Sequence, residues 1–96
     1  MIARTSTWSG TSAALEGWAK AARERVKPMV QGLPGNVGAY FLIDREHGEA
    51  MTITVWENEE AAKATDIAAD QSRSRTIDSA GVTLVKKGRY EVVTRI

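Results

Sequence analysis

The stretch Gly35–Glu60, reading GNVGAYFLIDREHGEAMTITVWENEE, constrains this chain more than any other. Val37, Ala39, Phe41 and Ile43 alternate with Gly38, Tyr40, Leu42 and Asp44, the period-two pattern of a strand. Both sets are apolar, which predicts a strand covered on both faces. Asp44–Glu49 is polar and contains Gly48, a residue free to adopt a positive φ, so it reads as a hairpin connection. Met51, Ile53 and Val55 then alternate with Thr52, Thr54 and Trp56 as the returning strand. Asn58 is a good N-cap, and Glu59 and Glu60 fall in the first turn of the helix it opens, where the helix dipole favours anions. A hairpin that runs straight into a capped helix leaves few folds open.

The flanks narrow the choice. Ile2, Arg4, Ser6 and Trp8 alternate with Ala3, Thr5 and Thr7, which predicts a first strand ended by Gly10. Thr11 or Ser12 caps a helix whose apolar stripe is Leu15, Trp18, Ala22, Val26 and Met29, at steps of three and four. Pro28 predicts a kink or break near Lys27, with Met29–Leu33 as a further short turn. The second helix is expected to run over Glu59–Ala80, with small residues inward: Ala61, Ala64, Thr65, Ala68, Ser72 and Ile77. Val82–Val85 and Arg89–Ile96 read as a last strand region interrupted around Lys86–Gly88.

The order is β-α-β-β-α-β, the α+β ferredoxin-like plan: a four-stranded antiparallel sheet with both helices on one face. At 96 residues the chain is one domain, 1–96. The opposite sheet face is then bare yet apolar, which predicts a homodimer joined sheet to sheet. Lys and Arg number 13 against 12 Asp and Glu, a balance that argues against a protein built to neutralise phosphates, so no nucleic-acid partner is expected. There is no cysteine, which excludes disulfides, thiolate metal sites and cysteine nucleophiles. No apolar run approaches the ~20 residues of a membrane span, and the first residues lack the plan of a signal peptide. The expectation is a cytoplasmic protein with no membrane partner.

Val26-Lys27-Pro28, Leu33-Pro34-Gly35-Asn36-Val37-Gly38, Asp44-Arg45, Gly48 and Thr54-Val55-Trp56-Glu57-Asn58-Glu59-Glu60-Ala61 together make the whole chain resemble the antibiotic biosynthesis monooxygenase-like family. The resemblance implies a dimeric α+β barrel with a small pocket between sheet and helices in each subunit. It implies, for some members, oxidation of electron-rich phenolic or quinol-like compounds by molecular oxygen without metal or prosthetic group, and for others haem cleavage. Members often carry a histidine some nine residues after the Trp-Glu that opens the second helix; that place here is near Thr65, and the helix holds no histidine. The haem-cleaving pattern needs an asparagine on the first strand and a tryptophan and histidine on the second helix. Ile2–Trp8 and Glu59–Ala80 contain none of these.

The remaining motifs are sparse. His47, the one histidine, sits between Glu46 and Gly48 in the hairpin loop, where a solvated side chain is the simpler reading than a general base. One histidine and scattered acids make no metal site, and no glycine spacing matches a phosphate loop. Asp70, Arg73, Arg75 and Asp78 read as a solvated helix face with local ion pairs, an arginine there being the alternative anchor for an acidic ligand. The aromatics are more telling. Trp18, Tyr40, Phe41 and Trp56 are expected to wall a flat pocket under an alanine-rich helix. With the resemblance, Thr65 or Ser72 would donate hydrogen bonds to a small aromatic or polyketide-like substrate of a cofactor-independent monooxygenase. The alternative is a homodimer that binds a small apolar ligand without turning it over.

Overall fold

A computed structural model describes residues Met1–Ile96. The central hairpin forms as its alternation requires, β2 (Asn36–Asp44) against β3 (Glu49–Trp56), with Phe41 opposite Thr52 and Tyr40 opposite Ile53. Gly48 takes φ 69° in the connection. The strand β1 (Ile2–Ser9) pairs with β3 on one side and β4 (Thr83–Glu91) on the other. The sheet is antiparallel with order β2-β3-β1-β4, and the helices cover one face, so the ferredoxin-like plan holds. No helix is long and apolar enough to cross a membrane.

The first helical stretch is irregular near Lys27, where Pro28 predicts a kink or break, but it does not break. It runs from α1 (Ser12–Ala21) through a π-helical turn (Ala22–Val26) into α2 (Lys27–Gln31). Proline has no N–H for the carbonyl one turn back, and its ring crowds that carbonyl. The preceding turn widens instead: the N–H of Lys27 bonds the carbonyl of Ala22, five residues back. The helix therefore continues, and Val26, Met29 and Val30 all stay on the sheet side. At its start, Thr11 Oγ1 accepts the N–H of Ala14 at 3.2 Å.

The second helix differs from expectation too. Asn58 Oδ1 caps its start, accepting the Ala61 N–H at 2.9 Å. It then divides at Thr65 (φ −107°, ψ 6°) into α3 (Glu59–Ala64) and α4 (Asp66–Ala80). The division turns the helical face. Ala62, Thr65, Ser72 and Thr76 are buried, whereas Ala64 and Ile77, expected inward, are exposed. The left-handed Gly81 ends α4. The last strand is not interrupted at Lys86–Gly88; the irregularity is a shift of register opposite Thr7 and Trp8. Nor does it reach Ile96: the ladder ends with Glu91 opposite Ile2, followed by a single bond from the Val92 N–H to the Met1 carbonyl at 2.9 Å.

The packed core lies toward one end of the sheet–helix interface, where Trp8, Leu15, Trp18, Ala19, Ala50 and Val82 form one cluster. On the other face Tyr40 is 67% exposed, Leu42 46% and Tyr90 49%. Within the protomer β2 is thus covered on one face only, and its other face is the bare apolar one from which a sheet-to-sheet homodimer is expected.

Candidate functional site

The pleat sends Arg4, Ser6 and Trp8 of β1, Phe41 of β2, and Thr52, Thr54 and Trp56 of β3 toward the helices. The stripe Trp18, Ala22, Val26, Met29 and Val30 comes down from the first helical stretch, and Thr65, Ala69, Ser72, Arg73 and Thr76 from the second. Leu33, in the turn before β2, completes the wall. Between them lies a cavity of about 580 Å³, including its open mouth. Ala22, Ala69 and Ser72 on the helix side help to leave this space: a larger side chain at any of them would take up part of it.

The aromatic floor is held from behind. Trp56, 1% exposed, donates its Nε1–H to Thr54 Oγ1 at 3.0 Å. Trp8 donates to Thr52 Oγ1 at 3.3 Å. Each indole N–H is thereby satisfied by a threonine on the same sheet face, which fixes the ring plane and leaves the threonine O–H hydrogen free to donate into the cavity.

At the far end stands Arg4, its side chain 9% exposed. Its Nη1 donates to Thr65 Oγ1 at 3.1 Å, and its Nη2 donates to the Ala62 carbonyl and to Asp66 Oδ1, the latter at 2.7 Å. The guanidinium also lies 5.4 Å from the centroid of the Trp56 ring. This cluster explains the division of the second helix. The carbonyls ending α3 need donors, and a cation suits the negative end of a helix. Arg4 and the Thr65 hydroxyl, which donates to Ala62 at 2.9 Å, supply them. Burial holds the Arg4 guanidinium below its ordinary pKa, while the hydrogen bond and charge of Asp66 act in the opposite sense.

Arg4 and Arg73 also line a second, wholly polar cleft with Asp66, Asp70, Lys87, Gly88 and Arg89. Asp66 bridges Arg4 and Arg89, and Arg89 reaches Glu59 at 3.1 Å. One helical turn on, Asp70 pairs with Arg73 and lies 3.9 Å from Lys87. The two arginines are thus the partition between an aromatic cavity and a charged cleft.

Of the residues expected at a pocket, Trp18, Phe41, Trp56, Thr65 and Ser72 line this cavity. Tyr40 does not. It stands beside Phe41 in the same strand, and neighbouring strand residues point to opposite faces, so it projects from the uncovered side of the sheet. His47 is exposed at the hairpin, its Nδ1 2.8 Å from Asp44 Oδ2. Arg73, expected on a solvated face, keeps its bond to Asp70, but its side chain is only 14% exposed and reaches the cavity. Sequence reasoning does not single out Arg4, Thr52 and Thr54, nor Arg25, which reaches across to Ser72 Oγ at 3.3 Å and Thr76 Oγ1 at 2.6 Å. The signal for Arg4 was its register with Trp8, one buried face carrying both. No group of three or more His, Asp or Glu side chains converges as metal ligands would.

Fold and cavity together define a ferredoxin-like domain with an aromatic chamber between its sheet and helices. The chain belongs to the antibiotic biosynthesis monooxygenase family, whose profile it matches over residues 1–65. An uncharacterized protein of Mycobacterium tuberculosis is 30% identical over 83 residues, 86% of this chain. The chain spans 37% of the length of the curated relatives it matches. Among solved structures, it is similar to a Streptomyces coelicolor monooxygenase in complex with nanaomycin D (TM-score 0.76, 16% identity, 99% of this chain and 89% of that one). It is also similar to SnoaB, a cofactor-independent oxygenase of Streptomyces nogalater (0.69, 16%, 99% and 95%). A dimeric ferredoxin-like protein from an uncultured marine organism aligns as well (0.71, 11%, 99% and 96%). At these identities the structural likeness speaks for the fold.

Proposed function

We propose that the domain is a homodimeric, cofactor-independent monooxygenase acting on a small aromatic or polyketide-like substrate in the sheet–helix cavity. The observation that carries this reading is the chamber itself: Trp8, Trp18, Phe41 and Trp56 offer flat apolar walls to a planar ring, in a chain of a monooxygenase family. The likeness in fold to a cofactor-independent oxygenase and to a monooxygenase in complex with nanaomycin D supports it. In such a reaction an activated ring methylene loses a proton, its carbanion adds dioxygen, and loss of water leaves a carbonyl. One oxygen atom enters the product and the other leaves as water. The protein's part is to hold the ring, exclude bulk water and stabilise the developing negative charge.

The test is oxygen uptake with anthrone-type and hydroquinone substrates, protein against buffer. Accelerated uptake, one dioxygen consumed per carbonyl formed, is expected; no acceleration across the panel sinks the catalytic reading. The second reading, a binder without turnover, is favoured by one observation. No carboxylate, imidazole, amine or phenol lines the cavity to take the proton. Ligand binding without oxygen uptake would select it.

The dimer follows from the outer face of the sheet. Tyr40, Leu42, Met51, Ile53, Val55 and Tyr90 form an apolar surface no element of this protomer covers. Sedimentation should give a dimer at micromolar concentration, and Tyr40→Lys with Ile53→Lys should dissociate it. A wild-type monomer would refute this part.

A further inference from the structure

Three hydroxyls that line the cavity, those of Thr52, Thr54 and Ser72, are better placed to give a hydrogen bond than to receive one, whereas Thr65 and Thr76 already donate to the carbonyls of Ala62 and Ser72. Thr52 and Thr54 already accept from the two indoles, and Ser72 accepts from Arg25. Their O–H hydrogens have no acceptor in the protein. Arg73 is the sharper case. Its side chain is 14% exposed, yet it makes a single hydrogen bond, to Asp70, of the five N–H donors a guanidinium carries. The remaining donors stand at the partition between cavity and cleft. These donors have no protein acceptor and are not sealed from solvent, so they are open to water or to an acceptor that enters the site.

The charges around this point come from every element packed there. Arg4 from β1, Arg25 from the first helical stretch, Arg73 from α4, and Lys87 and Arg89 from β4 stand against Glu59, Asp66 and Asp70. Cations outnumber carboxylates, and none of the carboxylates reaches the aromatic cavity.

Resting on the aromatic-pocket reading above, we propose that the cavity selects its ligand in the ionised form. The ligand is a planar aromatic phenolate or enolate, with its ring among the indoles and its oxyanion on Arg73 and the hydroxyls of Thr52, Thr54 and Ser72. The site then needs no base, because the proton has left before or during binding. Discrimination lies in the charge of the oxygen, and ring compounds with weakly acidic hydroxyls bind poorly.

The probe is 4-nitrophenol, whose phenolate absorbs in the visible and whose phenol does not, with 4-nitroanisole as the uncharged comparison. Titrating the bound probe by absorbance, the wild-type protein should lower its pKa by about one unit, a ~10-fold preference for the anion. Arg73→Gln should abolish most of that shift, Arg73→Lys should restore part of it, and Arg75→Gln, the same charge removed from the exposed part of the helix, should leave it intact. If phenol and anisole bind alike and the probe's pKa is unmoved or raised, the ionised-ligand inference falls while the aromatic pocket stands. If neither compound binds, as read by quenching of the cavity tryptophans, the pocket reading falls with it.

Discussion

The two ends of the sheet–helix interface are built on opposite principles. At one end Leu15, Trp18 and Ala19 of α1 close on Trp8, Ala50 and Val82 with no titratable group among them. At the other, a buried arginine, a run of hydroxyls and two ion-paired aspartates occupy the same layer. The same sheet supplies both, and the same pleat presents both inward. The helices make the difference. The first delivers large apolar groups at helical spacing; the second delivers alanine, serine and threonine, which cannot fill the gap. One end is therefore made for stability, and the other leaves donors and volume unused.

If so, mutations at the two ends should separate stability from binding. Leu15→Ala, at a 2% exposed position, should have the largest effect on folding. The lost transfer energy and the cavity left behind should destabilise by about 2–5 kcal/mol, read from the urea midpoint at unchanged slope. A loss under ~1 kcal/mol would mean the closed end is not tightly packed. Arg4→Met should come next, at about 2–3 kcal/mol. It takes one donor from the Ala62 carbonyl, which keeps the Thr65 hydroxyl and N–H, removes the buried partner of Asp66 and uncouples α3 from β1, though partial exposure of Asp66 moderates the loss. Hydrogen exchange of the Thr65 and Asp66 amides should accelerate in that variant more than exchange in α1.

Ser72→Ala should be nearly silent in stability, under ~1 kcal/mol, because Arg25 keeps its bond to Thr76. It should nonetheless weaken binding of 4-nitrophenolate several-fold. A variant that lost as much stability as Leu15→Ala would show that the open end is packed core like the other, and the contrast between the ends would collapse.

The same contrast explains what was legible in the sequence. The hairpin, both N-caps, the stripe of the first helix and the order of strands and helices along the chain all rest on contacts between near neighbours or on strict periodicity, and they can be read directly. The break at Thr65 cannot. Ala64-Thr65-Asp66-Ile67 contains neither glycine nor proline, and the helix divides because Arg4, some sixty positions earlier, caps it. Arg4 hides for the same reason: a charge in a strand reads as solvent-facing until its distant partners are known. Tyr40 and Phe41 present a different difficulty. With both faces of β2 apolar, the pattern does not say which face the helices cover, and placing both residues in one pocket overlooked the pleat. The aromatic walls were thus visible in outline. The donors that give the cavity its chemical sense came from long-range pairing.

The smallest expected effect concerns the rim that divides cavity from cleft. The Asp70 carboxyl is held below its ordinary pKa, first by its hydrogen bond from Arg73 and then by the charges of Arg73 and Lys87. A carboxylate with a depressed folded-state pKa contributes stability above its unfolded pKa and loses that contribution as pH falls through the folded value. The window therefore lies at and below the usual Asp range, under about pH 4. Because Asp70 is exposed, salt should weaken the effect. In an acid titration followed by NMR, the Arg73 Nε–H resonance should move with a midpoint below that of an unperturbed aspartate, and added salt should bring the midpoint back up. The amides of Trp8 and Val82, in the closed end and away from the Glu16–Arg45 pair on the surface of α1, should stay still over the same range. Movement at both ends with one midpoint would mean that the interface opens as a unit, so that the rim cannot loosen, and admit a ligand, while the closed end holds the fold.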